Sequence, residues 1–210
     1  MTISSFHYIV TQPEQAAVAC SAGADWIQLR LKNKPYEDWK AIAQETQAVC
    51  QASGARLIIN DNPHLAGEIG ADGVHLGKED MPLAEARKLV GSEVIIGGTA
   101  NTLEDIVRHS QSGADYIGLG PYRFTTTKEK LSPILGLAGY KGIMEALQQQ
   151  GISIPIIAIG GITQTDVPLL RQVGVHGIAV SSAVSAAADP AEQTRLFLTL
   201  LHASVTDHRR

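Results

Sequence analysis

Eight short runs rich in apolar and β-forming residues recur along the whole chain: His7 to Val10, Trp26 to Arg30, Arg56 to Asn60, Gly73 to Leu76, Val94 to Gly97, Tyr116 to Leu119, Ile156 to Ile159 and Gly177 to Val180. Between them lie stretches with helical apolar spacing, among them Glu14 to Ala22, Tyr36 to Ala52, Leu83 to Val90, Leu103 to Ser112, Gly139 to Gln149, Asp166 to Val173 and Ala191 to His202. Parallel strands need a crossover connection, so repeated strand-then-helix order predicts a parallel sheet. Several helices end at a glycine beside a small residue, as in Gly23-Ala24, Gly54-Ala55 and Gly113-Ala114, where glycine tolerates the left-handed turn of a helix C-cap. Eight such units predict an α/β, single-domain (β/α)8 TIM barrel, with an open doubly wound sheet as the second choice. No Gly-x-Gly-x-x-Gly turn follows the first strand, which favours the barrel.

A chain of 210 residues suits one domain, and no linker-like composition divides it. The barrel is expected to occupy residues 1–205, with the charged tail 206–210 disordered. A formal net charge of -4 lacks the basic footprint of a nucleic-acid binder. Cys20 and Cys50 show no CxxC spacing and the N-terminus has no signal-peptide pattern, so reduced thiols and a cytoplasmic location are expected. No apolar stretch approaches the roughly 20 residues that span a bilayer, which argues against a membrane partner.

In such barrels the chemistry gathers at the C-terminal strand ends. After the second strand, Gln28, Arg30 and Lys32 fall on alternate positions and project to one face. An amide, a guanidinium and an ammonium suit a phosphate or carboxylate, although an edge strand with one solvated face would look the same. The third strand ends in Asn60-Asp61, and Asp80 follows the fourth. Neighbouring strands would bring the two carboxylates together, and a hard divalent cation, Mg2+, would keep both ionised. Either acid alone reads better as a helix N-cap, since Pro63 and Pro82 each follow by two residues; the pair, beside Gln28, Arg30 and Lys32, favours the metal.

The segment Gly120 to Lys128 after the sixth strand combines Thr125, Thr126, Thr127 and Lys128, a composition suited to a terminal phosphate and to a lid that excludes water. Gly160-Gly161 and Ser181-Ser182 end the seventh and eighth strands, where barrels often hold a phosphate on backbone N–H groups. Two anion sites imply two small phosphorylated substrates. His75 reads as a packed, hydrogen-bonded histidine ahead of a catalytic base.

In order and spacing these motifs resemble the thiamine-phosphate synthase family. The resemblance rests on Tyr8-Ile9-Val10-Thr11, Gln28-Leu29-Arg30-Leu31-Lys32, Asn60-Asp61, Gly73-Val74-His75-Leu76-Gly77 with Asp80, Gly120-Pro121, Thr125-Thr126-Thr127-Lys128, Ala158-Ile159-Gly160-Gly161-Ile162 and Ala179-Val180-Ser181-Ser182-Ala183. It implies a Mg2+-dependent transferase that joins a hydroxymethylpyrimidine diphosphate to a phosphorylated thiazole and releases pyrophosphate by a dissociative path. It further implies that Gln28, Arg30, Lys32, Thr125, Thr127 and Lys128 hold the diphosphate, with Arg30, Lys32 and Lys128 neutralising the leaving group. Asp61 and Asp80 would bind Mg2+, Asn60 the pyrimidine, and Gly161 and Ser182 the thiazole phosphate, with Gly160 and Ser181 beside them as substrate-binding residues on the strand-end reading.

Some positions depart from the family pattern. Where the family carries Ser-x-His this chain has Thr99-Ala100-Asn101, which keeps a hydroxyl for the substrate at Thr99 and loses the imidazole. Lys78 replaces a common Gln, and Arg123-Phe124 replaces an aromatic-Pro pair. Arg123 is open to two readings, a further phosphate contact or a solvated side chain. The alternatives to the synthase are a thiazole tautomerase on the same barrel and a non-catalytic metabolite-binding relative. The oligomeric state is not legible in the sequence.

Overall fold

Each of the eight apolar runs becomes a strand in the computed structural model, which describes residues 2–124 and 133–203. The strands are β1 (Phe6–Val10), β2 (Trp26–Leu29), β3 (Arg56–Asn60), β4 (Gly73–Leu76), β5 (Ile95–Ala100), β6 (Tyr116–Leu119), β7 (Ile156–Ile159) and β8 (Gly177–Val180). They pair in sequence order, all parallel, and β8 returns to β1 with Phe6 opposite Ile178 and Tyr8 opposite Val180. The closed barrel is confirmed and the open sheet excluded.

The helices of the described residues are α1 (Pro13–Ser21), α2 (Tyr36–Ser53), α3 (Pro63–Ile69), α4 (Leu83–Val90), α5 (Leu103–Gln111), α6 (Gly136–Gln149), α7 (Val167–Gln172), α8 (Ser182–Ser185) and α9 (Pro190–His202). Two of them, α3 and α8, are short, with seven and four residues. None is long and apolar enough to cross a membrane. The expected tail 206–210 lies outside the described residues.

Alternation along the strands builds two apolar layers. Ile9, Trp26, Ile58, Ile95, Tyr116, Ile157 and Ala179 fill the barrel interior. Val10, Ile27, Leu29, Leu57, Ile59, Val74 and Leu76 face the surrounding helices. Burying an aliphatic or aromatic side chain of this size stabilises the fold by about 1.5–3 kcal/mol. Because Trp26 points inward, so does Gln28 two residues later, and this places the polar triad of β2 at the barrel mouth.

One strand is longer than its sequence suggests. Gly97-Gly98 reads as a strand end, yet β5 runs on to Ala100. The glycine serves packing here: a Cβ on Gly97 would lie 2.2 Å from Tyr116 Cζ and 2.5 Å from His75 Nδ1. Its absence lets both rings lie across the strand.

Candidate functional site

The C-terminal strand ends surround a cavity of about 490 Å3. Gln28, Arg30 and Lys32 line it from β2, Asn60 and Asp61 from β3, Asp80 from the loop after β4, and Thr99 from β5. Gly160 and Gly161 after β7 and Ser181 and Ser182 after β8 close the opposite wall. Every expected site residue that is described therefore meets in one cavity. Thr125, Thr127 and Lys128 lie outside the described residues.

A hydrogen-bonded chain orders the β2–β3 side. Gln28 Nε2 donates to Asn60 Oδ1 at 2.6 Å, and the Asn60 side chain in turn bonds the Asp61 carboxylate. Asp61 adopts a left-handed backbone, φ 65°, and its N–H donates to the His75 carbonyl at 2.8 Å. Aspartate is one of the few non-glycine residues that visit this conformation readily. The turn aims its carboxyl toward Asp80.

Burial, a hydrogen bond shared with Asp80 and the charge of Asp80 push the Asp61 carboxyl up to about 6, while Asn60 and Arg30 pull the other way. Asp80 Oδ2 also accepts the Gly77 N–H at 2.6 Å. Neither acid caps a helix: Asn62 caps α3 by accepting from the Leu65 N–H, and Pro82 precedes α4. The capping alternative falls away, leaving two carboxylates held against each other at the barrel mouth. Among the described residues no three His, Cys, Asp or Glu side chains converge on a metal position. A pair of carboxylates without a third protein ligand suits Mg2+, which takes one or two carboxylates and completes its shell with water and substrate phosphate.

His75 is packed and hydrogen-bonded, as its sequence context suggests, but it also lines the cavity. Its Nδ1 lies 3.0 Å from the Tyr116 hydroxyl and its Nε2 3.0 Å from Thr99 Oγ1. Burial holds the Tyr116 phenol protonated by raising its pKa. The ring thus couples the barrel interior to the Thr99 hydroxyl. Inward alternation from Gly73 could have placed His75 in the barrel; its partners on β5 and β6 have no local signal.

The three departures from the family pattern each find a partner. Lys78 lines the cavity and pairs with Asp105 at 2.5 Å. Burial opposes ionisation of Asp105, but hydrogen bonds from Lys78, the Asn101 N–H and Arg108 outweigh it and hold the carboxyl at about 2. Asn101 Nδ2 donates to the carbonyls of Gly120 and Pro133, each at 2.9 Å. Arg123 is exposed, as the solvated reading has it, and does not line the cavity; its guanidinium is nevertheless committed to a two-pronged ion pair with the buried Asp166, with one Nη2 to Oδ1 contact at 2.6 Å.

The family model described as "Thiamine monophosphate synthase" matches residues 3–184. A thiamine-phosphate synthase of Bacteroides thetaiotaomicron is 49% identical over 187 residues, covering 89% of this chain and 90% of that protein. One from Flavobacterium johnsoniae is 51% identical over 183 residues, covering 87% and 86%. Among solved structures, a thiamine phosphate pyrophosphorylase from Pyrococcus furiosus superposes with a TM-score of 0.83 at 31% identity, covering 94% of this chain and 95% of the other.

Proposed function

The chain belongs to the thiamine monophosphate synthase family, and on that premise we propose that it condenses 4-amino-2-methyl-5-hydroxymethylpyrimidine diphosphate with 4-methyl-5-(2-phosphoethyl)thiazole, or its carboxylated form, to give thiamine phosphate and pyrophosphate. One observation carries the reading. A cationic triad, a carboxylate pair and a Gly-Gly/Ser-Ser wall share one cavity, enough for a diphosphate on one side and a phosphate on the other.

Arg30 and Lys32 hold the diphosphate and offset the negative charge that grows on it as the carbon–oxygen bond breaks. Gln28 extends the same face, and Lys128, Thr125 and Thr127 are assigned to the diphosphate from the sequence. Asp61 and Asp80 would hold Mg2+, which when bound supplies further positive charge to the leaving oxygens. Asn60 orients the pyrimidine, and the Thr99 hydroxyl, backed by His75, faces the same space. The backbone of Gly160-Gly161 and the Ser181-Ser182 pair take the thiazole phosphate.

Departure of pyrophosphate leaves a cation stabilised by the aminopyrimidine ring, and the thiazole nitrogen captures it. No protein nucleophile is needed. The chain's task is to orient both substrates and to exclude water that would capture the cation first. Two free thiols suit a reducing compartment, so we place the reaction in the cytoplasm, with small phosphorylated molecules as partners and neither nucleic acid nor membrane.

The test is pyrophosphate release from the purified protein given both substrates and Mg2+. Release that requires both substrates is expected. Its absence would overturn the synthase reading, and isomerisation of a carboxylated thiazole in its place would assign the tautomerase activity.

A further inference from the structure

Two consecutive carbonyls of the loop after β7 are held by one residue of the loop after β6. The Arg123 N–H donates to the Gly160 carbonyl at 2.9 Å, and Arg123 Nη1 donates to the Gly161 carbonyl at 3.2 Å. In a trans peptide the C=O and the following N–H point in opposite directions. Fixing both carbonyls on Arg123 therefore turns the N–H groups of Gly161 and Ile162 to the other edge of the loop. Gly160, Gly161 and Ile162 line the cavity and Arg123 does not. Among the described residues the structure records no protein acceptor for either N–H.

The arginine is itself held. Asp166 is only 2% exposed and accepts from both Arg123 Nη atoms, from the Thr163 N–H at 2.8 Å and from Thr163 Oγ1 at 2.7 Å. A planar guanidinium can grip the carboxylate with both prongs and still donate to a carbonyl, which a lysine ammonium cannot match in geometry. The two loops also touch closely: a Cβ on Gly161 would lie 2.9 Å from Arg123 Cβ and 3.0 Å from the Phe124 carbonyl. Gly161 sits at φ 64°, so a side chain there would be strained as well as crowded.

We propose that Arg123 is a positioning residue for the second anion site, presenting the Gly161 and Ile162 N–H groups as a pair of donors to the phosphate of the thiazole substrate. This rests on the synthase reading for the identity of that phosphate. The geometry itself concerns any phosphate monoester or inorganic phosphate. Arg123 acts through the loop and does not touch the ligand.

The experiment compares wild type, Arg123→Ala, Arg123→Lys and Asp166→Asn in the full-length protein. Loss of one charge-assisted hydrogen bond corresponds to about tenfold or more, so Arg123→Ala is expected to raise KM for the phosphorylated thiazole by that factor. KM for the pyrimidine diphosphate should stay within about twofold, since that substrate lies on the other wall. Arg123→Lys, which keeps the charge and loses the fork, should fall between wild type and Arg123→Ala, and Asp166→Asn should follow the same split. An unchanged thiazole KM, or an equal rise in both KM values, would overturn the proposal.

A second readout is independent of turnover. Titrating wild type with inorganic phosphate should shift the amide resonances of Gly161 and Ile162, and Arg123→Lys should weaken that response. A wild-type protein that releases no pyrophosphate but shows these shifts, weakened in Arg123→Lys, would refute the synthase reading and keep the positioning role; an equal response in the two proteins would refute the positioning role. A wild-type protein that shows no shifts would refute it as well.

Discussion

Gln28 Nε2 donates to Asn60 Oδ1 at 2.6 Å across the β2–β3 pair, and both side chains are buried. The bond sets the orientation of both amides and leaves the Asn60 nitrogen facing Asp61, whose ionised form it favours. Gln28→Glu keeps the shape and replaces the donor by a carboxylate aimed at an oxygen. We expect a loss of about 1–3 kcal/mol in urea unfolding, together with a fall in turnover of about tenfold or more in the pyrophosphate assay. Wild-type values in both would contradict the ordering role.

Asp61→Asn and Asp80→Asn relieve the repulsion between two carboxylates. Each variant should therefore keep the wild-type unfolding midpoint or exceed it, while turnover falls by about a hundredfold or more for want of charge at the leaving group. A Mg2+ titration of activity should show half-saturation moved to higher concentration. Full activity at low Mg2+ in either variant would remove the metal assignment.

Asn101 joins the carbonyls of Gly120 and Pro133, residues on either side of the segment that is expected to carry the diphosphate contacts. Asn101→Ala leaves both acceptors without that donor and should cost about 2–3 kcal/mol in chemical unfolding. Asn101→Asp has the same shape and adds a negative charge facing two carbonyl oxygens, so it should cost more than the alanine. An aspartate variant as stable as wild type would mean that the amide does not hold the two stems.

His7 is fully buried, stacked at 4.3 Å on Trp26, with Nε2 donating to the Ser4 carbonyl at 2.9 Å. Burial lowers its pKa well below 6.5, and the neighbouring His75 and His176 act in the same direction. The unfolded chain gains a proton near the ordinary value while the folded ring stays neutral. Stability from this group is thus fully present above pH 6.5 and declines as pH falls below it. In urea unfolding from about pH 7.5 down to about pH 5, the stability of wild type relative to His7→Phe should fall as the pH falls, the difference between the two curves isolating His7 from Asp61 and His109, which titrate in the same window. Parallel slopes would indicate that His7 does not carry the effect.

The barrel is legible in the amino-acid sequence because its signal is local. Trp26 and Gln28, two residues apart on a strand, must share a face, and a helix C-cap glycine marks the return to the next strand. The same local logic places Asp61, Asp80, Gly161 and Ser182 at strand ends, and hence around one mouth. It does not distinguish a metal carboxylate from a helix cap, because both roles favour aspartate just ahead of a helix. The observed cap at Asn62 and the Pro82 that precedes α4 remove the capping role from both aspartates.

Alternation and spacing by themselves determined the eightfold α/β barrel, the inward face of β2 and the cluster of basic, glycine, serine and acidic residues at its rim. The tertiary structure decided which polar groups are already committed to one another: Gln28 to Asn60, 32 residues away, and Arg123 to Asp166, 43 residues away. Periodicity reports the direction in which a side chain leaves its own strand or helix. The partner it meets depends on barrel closure and on how the loops pack, and these arise from contacts between residues distant in sequence.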